Sequence, residues 1–120
     1  MTLTEQVFAH AVLLAGELTD QQSRVLEVLC SASTSSLTSR LREGLTPNDC
    51  KADFIASASL MALATLAGVS GDIPVEQITA GDFTIRKGSM SYDAASNCLR
   101  NQAELMMAPY LKVRFSFRGV

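Results

Sequence analysis

A chain of 120 residues fits a single domain. Hydrophobic residues make up 48% and charged residues 18%, which is too apolar for a disordered chain and ordinary for a packed one. The net charge of −2 makes no overall case for nucleic acid, and no apolar run approaches the roughly 20 residues of a bilayer span, so no membrane is expected. The first helix is predicted from about Leu3 to Ala15. Thr2 followed by Glu5 forms a capping-box pattern at its start, and Gly16 ends it. Val7, Phe8, Ala11, Val12 and Leu14 supply its apolar side. The opening Met-Thr-Leu-Thr-Glu lacks the basic segment of a signal peptide, so the expected placement is cytoplasmic.

Thr19 with Gln22 opens the second helix, expected from about Asp20 to Glu43 with Gly44 as its stop. Leu26, Cys30, Ser33, Leu37 and Leu41 recur at steps of three and four, and Val25, Val28 and Leu29 widen the stripe. The Ser/Thr run from Ser31 to Ser36 competes for backbone hydrogen bonds and weakens the middle of this helix near Thr34. Thr46-Pro47-Asn48-Asp49 is the clearest local signal: Thr46 caps, Pro47 takes the first helical position, and Asp49 faces the positive helix end. The third helix is expected to run to about Ala67 and to stop at Gly68. It is apolar or small nearly all round, which places it in the middle of a bundle.

Val69 to Val75 reads as a loop. Residues 77–87 alternate like a strand, and Ala80-Gly81-Asp82 provides turn chemistry for a short hairpin. The last helix is predicted from about Tyr92 to Ala108, with Ala95, Cys98, Leu99, Gln102, Leu105 and Met106 on its inner side and Pro109 at its end. In the tail, about residues 112–120, Val113, Phe115 and Phe117 share one face, while Arg114, Ser116 and Arg118 share the other. The expected fold is therefore mainly α: one helical domain over residues 1–120, resembling a four-helix bundle, with a short β-hairpin between the third and fourth helices and a strand-like C-terminal tail.

Residues that could carry catalysis do not converge. His10 is the single histidine and lies among Phe8, Ala9, Ala11 and Val12 on the first helix. Cys30, Cys50 and Cys98 are widely spaced at apolar helical positions, so neither a disulfide framework nor a zinc site is expected. Asp49 and Asp53 share a helix face, and a solvated helix start accounts for them. Gly68-Val-Ser-Gly71 lacks both the spacing and the preceding strand of a nucleophile elbow. The turn from Glu43 to Pro47 has the shape of a helix-turn-helix, but the following helix offers only Lys51 as a basic residue beside Asp49 and Asp53. No catalytic, metal or cofactor site is assigned, and an enzyme is not expected.

Charge is unevenly distributed. Residues 1–77 carry nine acidic and four basic side chains, and residues 78–120 carry three and six. Such asymmetry arises by chance and from helix-end preferences, or it marks complementary faces in a head-to-tail assembly. The segments 77–87 and 112–118 have no evident strand partners in a helical body. They pair with each other inside one subunit, or they are exchanged between subunits of a homo-oligomer. The residues that would make such contacts are Ile78, Asp82, Phe83, Ile85, Arg86 and Lys87 in the hairpin, and Val113, Phe115 and Phe117 in the tail.

Three stretches resemble the small head–tail connector, or adaptor, proteins of tailed bacteriophages and prophages. They are Leu41-Arg-Glu-Gly-Leu-Thr-Pro-Asn-Asp-Cys50, Ile78-Thr-Ala-Gly-Asp-Phe-Thr-Ile85, and Gln102-Ala-Glu-Leu-Met-Met-Ala-Pro-Tyr-Leu111 close to Phe115-Ser-Phe-Arg-Gly-Val120. The order of helices, a Gly-Asp-aromatic-Thr strand and a helix ending in Ala-Pro-Tyr covers most of the chain. The resemblance implies a structural virion assembly protein whose subunits form a ring between portal and tail. Its partners would be further copies of itself and the portal and tail proteins, with at most non-specific contact to DNA in the channel. It would reside in the bacterial cytoplasm during assembly and in the virion neck afterwards. The competing expectation is a small helical protein-binding or regulatory module of bacterial origin, using the same hairpin to hold a partner.

Overall fold

The computed structural model describes residues 2–16, 18–70 and 92–112, with only the backbone of 77–80 and 83–86 between them and no side-chain detail for 69–70 and 92–95. The fold is mainly helical. Its helices are α1 (Leu3–Ala15), α2 (Asp20–Arg40), α3 (Lys51–Ser70) and α4 (Tyr92–Met107), and 3-10 turns at Pro47–Cys50 and Ala108–Tyr110 precede α3 and follow α4.

The helix starts follow from local chemistry. The Thr2 amide donates to Glu5 Oε1 at 2.7 Å and the Glu5 amide donates to Thr2 Oγ1 at 3.1 Å, which satisfies two free amides at the start of α1. Thr19 and Gln22 repeat the arrangement for α2, at 3.1 Å in each direction. Before α3, the Asp49 carboxylate accepts from the Thr46 amide at 2.7 Å and from its hydroxyl at 3.1 Å. The Asp49 amide donates to the Thr46 carbonyl three residues back, so the chain enters α3 through a tighter 3-10 turn.

The Ser/Thr run does not break α2. Thr34 donates its hydroxyl to the Cys30 carbonyl at 2.8 Å, and Thr38 donates to the Thr34 carbonyl at 2.7 Å. The hydroxyls that compete with the helix in principle are absorbed by it here. The end of α2 differs from expectation. The helix stops at Arg40, and Leu41 turns extended with φ −65° and ψ 147°. Gly44 is not the stop; it occupies a turn in which the Leu45 amide donates to the Arg42 carbonyl at 3.0 Å. Its φ of 90° is the conformation that requires glycine there.

α3 occupies the centre and packs against all three other helices. Phe54, Ala58, Leu60, Ala62, Leu63, Ala64, Leu66 and Ala67 are buried on several of its sides. It runs through Gly68, which sits on an exposed side and has open space around its α-carbon. The segment Pro47–Gly68 is 22 residues long with a mean hydropathy of 1.3, so it is long and apolar enough to cross a membrane, contrary to the reading of the sequence. With 61% of its apolar window buried inside the molecule, it serves as the core helix of the bundle.

α3 and α4 are antiparallel and clasp each other reciprocally. Ser57 donates to the Ala103 carbonyl at 3.2 Å, and Ser96 donates to the Ala64 carbonyl at 2.8 Å. On each helix the serine and the accepting alanine are two turns apart, so the same device operates twice in opposite directions. The Ser59 hydroxyl is shared between the Ile55 carbonyl of α3 at 2.7 Å and the Val7 carbonyl of α1 at 3.0 Å. Small residues let these backbones approach, and each buried hydroxyl finds a carbonyl. The inner face of α4 is therefore Ser96, Leu99, Ala103 and Met107. Leu105, expected inside, is 69% exposed.

The expected β-hairpin and strand-like tail are not supported as parts of this fold. Between α3 and α4 only backbones are described: Gln77–Ala80 lies antiparallel to Phe83–Arg86, with Gln77 opposite Arg86 and Ile78 opposite Ile85. A two-stranded ribbon of this length is marginal alone in water. Residues 113–120 lie outside the described residues. The extended chain before them is paired, but with a partner the sequence did not suggest: Leu111 forms an antiparallel bridge with Leu41.

Candidate partner-contact surface

Of the residues singled out as contacts, Asp82, Lys87, Val113, Phe115 and Phe117 lie outside the described residues, and Ile78, Phe83, Ile85 and Arg86 are placed by backbone alone. The structure builds a convergence where α2 and α4 end.

Arg40 closes α2 and grips Glu104 of α4 with both guanidinium nitrogens, Nη1 to Oε2 at 2.7 Å and Nη2 to Oε1 at 2.6 Å. This fork geometry is the strong form of an Arg–carboxylate contact. Glu104 holds the Arg40 guanidinium above its ordinary pKa, against a smaller opposing effect of burial. Beside this pair the Arg42 amide donates to the Tyr110 carbonyl and the Lys112 amide donates to the Arg40 carbonyl, each at 2.9 Å. Arg42 Nε adds a 3.4 Å bond to the Leu111 carbonyl. Leu41 and Leu111 are buried between these bonds. The Tyr110 hydroxyl donates to Asp53 Oδ2 at 3.0 Å, and that bond with the Asp53 charge raises the phenol's pKa. The chain leaving α4 is thus held by α2, by its connector and by α3.

An open depression of about 330 Å³ lies against this junction, lined by Arg40, Glu104, Leu105, Ala108, Leu111 and Lys112. Its lining is mainly apolar, and its charged pair is already matched. Leu105, Ala108 and Leu111 form its apolar part, beside the paired Arg40 and Glu104 and beside Lys112. A second depression of about 280 Å³, between the start of α1 and the entry to α3, is lined by Leu3, Gln6, Pro47, Asn48 and Lys51 and gathers no acid, base or nucleophile pair.

The residues weighed for catalysis are engaged separately. Asp49 accepts from Thr46 and Asp53 accepts from Tyr110, so the two carboxylates are engaged by different hydrogen-bond donors. Burial pushes the Cys30 thiol up to about 12, with Glu27 adding to it, and burial followed by Asp49 and Asp53 raises Cys50. Both are poor nucleophiles. Gly68, Val69 and Ser70 belong to α3 rather than to a strand-to-helix turn. Among the described residues no three His, Cys, Asp or Glu side chains are grouped to hold a metal ion.

The junction was missed because its sequence signal is too short. One extended residue after a helix carries no periodicity, and its pairing with another such residue far along the chain has none either. The available hint was Pro109, which cannot continue the hydrogen-bond ladder of α4 and falls in the 3-10 turn Ala108–Tyr110 that follows it. In comparisons with known proteins, no family model, curated protein or solved structure matches the chain.

Proposed function

We propose that this chain is a structural assembly subunit of the head–tail connector kind, associating with copies of itself into a ring between a portal and a tail. The observation that supports the reading best is the junction at the ends of α2 and α4. Two of the three stretches that carry the resemblance, 41–50 and 102–111, are far apart in the chain and meet there through the Leu41–Leu111 bridge. A subunit that hands a terminal segment to a neighbour needs a firm point of departure, and the backbone bonds of Arg42 and Lys112 provide one.

The finer architecture belongs to this proposal. The hairpin 77–87 faces a partner ring through Ile78, Asp82, Phe83, Ile85, Arg86 and Lys87. The tail 112–120 reaches a neighbouring subunit through Val113, Phe115 and Phe117. Portal and tail proteins are the partners, and DNA in the channel makes non-specific contacts only. Assembly takes place in the bacterial cytoplasm and the ring ends in the virion neck. The reading uses no catalytic residue and no cofactor.

Electron microscopy of the concentrated chain tests it. Closed rings with one subunit number are expected, and Phe83→Asp with Ile85→Asp should leave the ring but abolish its stacking on a portal. Particles no larger than a dimer at all concentrations, with or without a portal ring, contradict the proposal and leave a small helical binding module.

A further inference from the structure

We infer that the depression at the end of α4 accepts residues 113–118 of a second copy of this chain. The inference rests on the self-association proposed above and names its acceptor. Leu105 is 69% exposed on the wall of this depression, beside Ala108 and Leu111. The chain's own extension leaves at Lys112, on the rim of the same depression. It cannot lengthen the bridge that holds it. The next pairing step past Leu41–Leu111 on one side falls on Ser39, whose backbone is committed to α2, and on the other side it falls on Pro109, which has no amide hydrogen.

Nor is the chain's own tail suited to double back into the depression. In extended form Phe117 lies about 20 Å beyond Leu111, whereas Leu105 and Leu111 line one depression. For Phe117 to reach its own Leu105 demands a chain reversal, for which Val113-Arg-Phe-Ser-Phe-Arg118 offers Ser116 alone and no Gly, Pro, Asn or Asp. A second copy's segment enters without reversal. Its Val113, Phe115 and Phe117 alternate along one side of an extended chain, which fits an apolar wall.

Disulfide trapping tests this on the full-length chain. Cys30 and Cys50 are buried and Cys98 is half-buried, so a Cys98→Ser background leaves no accessible thiol. In that background Leu105→Cys and Phe117→Cys are placed on separate, differently tagged chains, mixed and mildly oxidised. A disulfide-linked heterodimer as the main product is the expected result, lost when Ala108→Arg is added to the Leu105→Cys chain. With both cysteines on one chain, the expected product is a linked oligomer. Closure within a single chain, or no cross-link while the circular dichroism stays native, overturns the inference. Rings that persist with Val113→Ser, Phe115→Ser and Phe117→Ser together would also overturn it while leaving the ring proposal standing. Cross-linked pairs without rings would do the reverse.

Discussion

Burial sets how the three thiols behave. Cys30 is fully buried and its thiol sits near 12, so it is almost wholly protonated at neutral pH. Cys50 is shifted the same way, while Cys98 is half-buried. A thiol-reactive disulfide reagent should therefore label Cys98 in the native protein and reach Cys30 only at the rate of unfolding. Rapid labelling of Cys30 in the native state would contradict the packing around it. Glu5 illustrates the opposite shift. Its hydrogen bonds to Thr2 favour the carboxylate and lower its pKa below the ordinary glutamate value. A group with a lowered folded pKa stabilises fully above its unfolded pKa, and that contribution is lost as pH falls through the folded value. NMR titration should place the Glu5 midpoint below that of an unperturbed glutamate, and the α1 cap should loosen only in acid beneath it. An ordinary midpoint would show the cap to be absent.

The helix starts were legible in the sequence because Thr2, Thr19 and Thr46 each stand three residues before a side chain that reaches back. The ends were less so. Glycine suggested stops at Gly44 and Gly68, but α2 ends early where Leu41 bridges Leu111, and α3 continues through Gly68 to Ser70. The face of α4 was misread at Leu105 because the inner row includes Ser96, a polar residue that hydropathy alone discards. The junction was hardly legible, since its parts follow the ends of α2 and α4, which only the fold unites. The reciprocal serine clasp gives the element-scale prediction. Ser57→Ala and Ser96→Ala should each cost about 1 kcal/mol. Their effects should add, because the two bonds lie two helical turns apart and share no partner. Strong coupling in a double-mutant cycle, or no effect on the denaturation midpoint, would show that small size rather than hydrogen bonding explains these serines.

For the whole molecule, the central position of α3 determines how much one side chain matters. Phe54 is fully buried near its start, and Phe54→Ala should destabilise by about 3–5 kcal/mol. That is a large share of the roughly 5–15 kcal/mol typical of a domain. A drop in the urea midpoint of less than a fifth would contradict a single core organised on α3. Charge acts at the same scale: in the proposed ring, an acidic first part and a basic second part would favour head-to-tail contact and make it sensitive to salt. The central claim is self-assembly through the C-terminal segment, and the most direct test is native mass by light scattering after size exclusion, over a range of concentration and salt. The account predicts one discrete multiple of 12.9 kDa, lowered by salt and by replacing Val113, Phe115 and Phe117 with serine. A mass of 12.9 kDa at every concentration, or an oligomer indifferent to those three replacements, would contradict it.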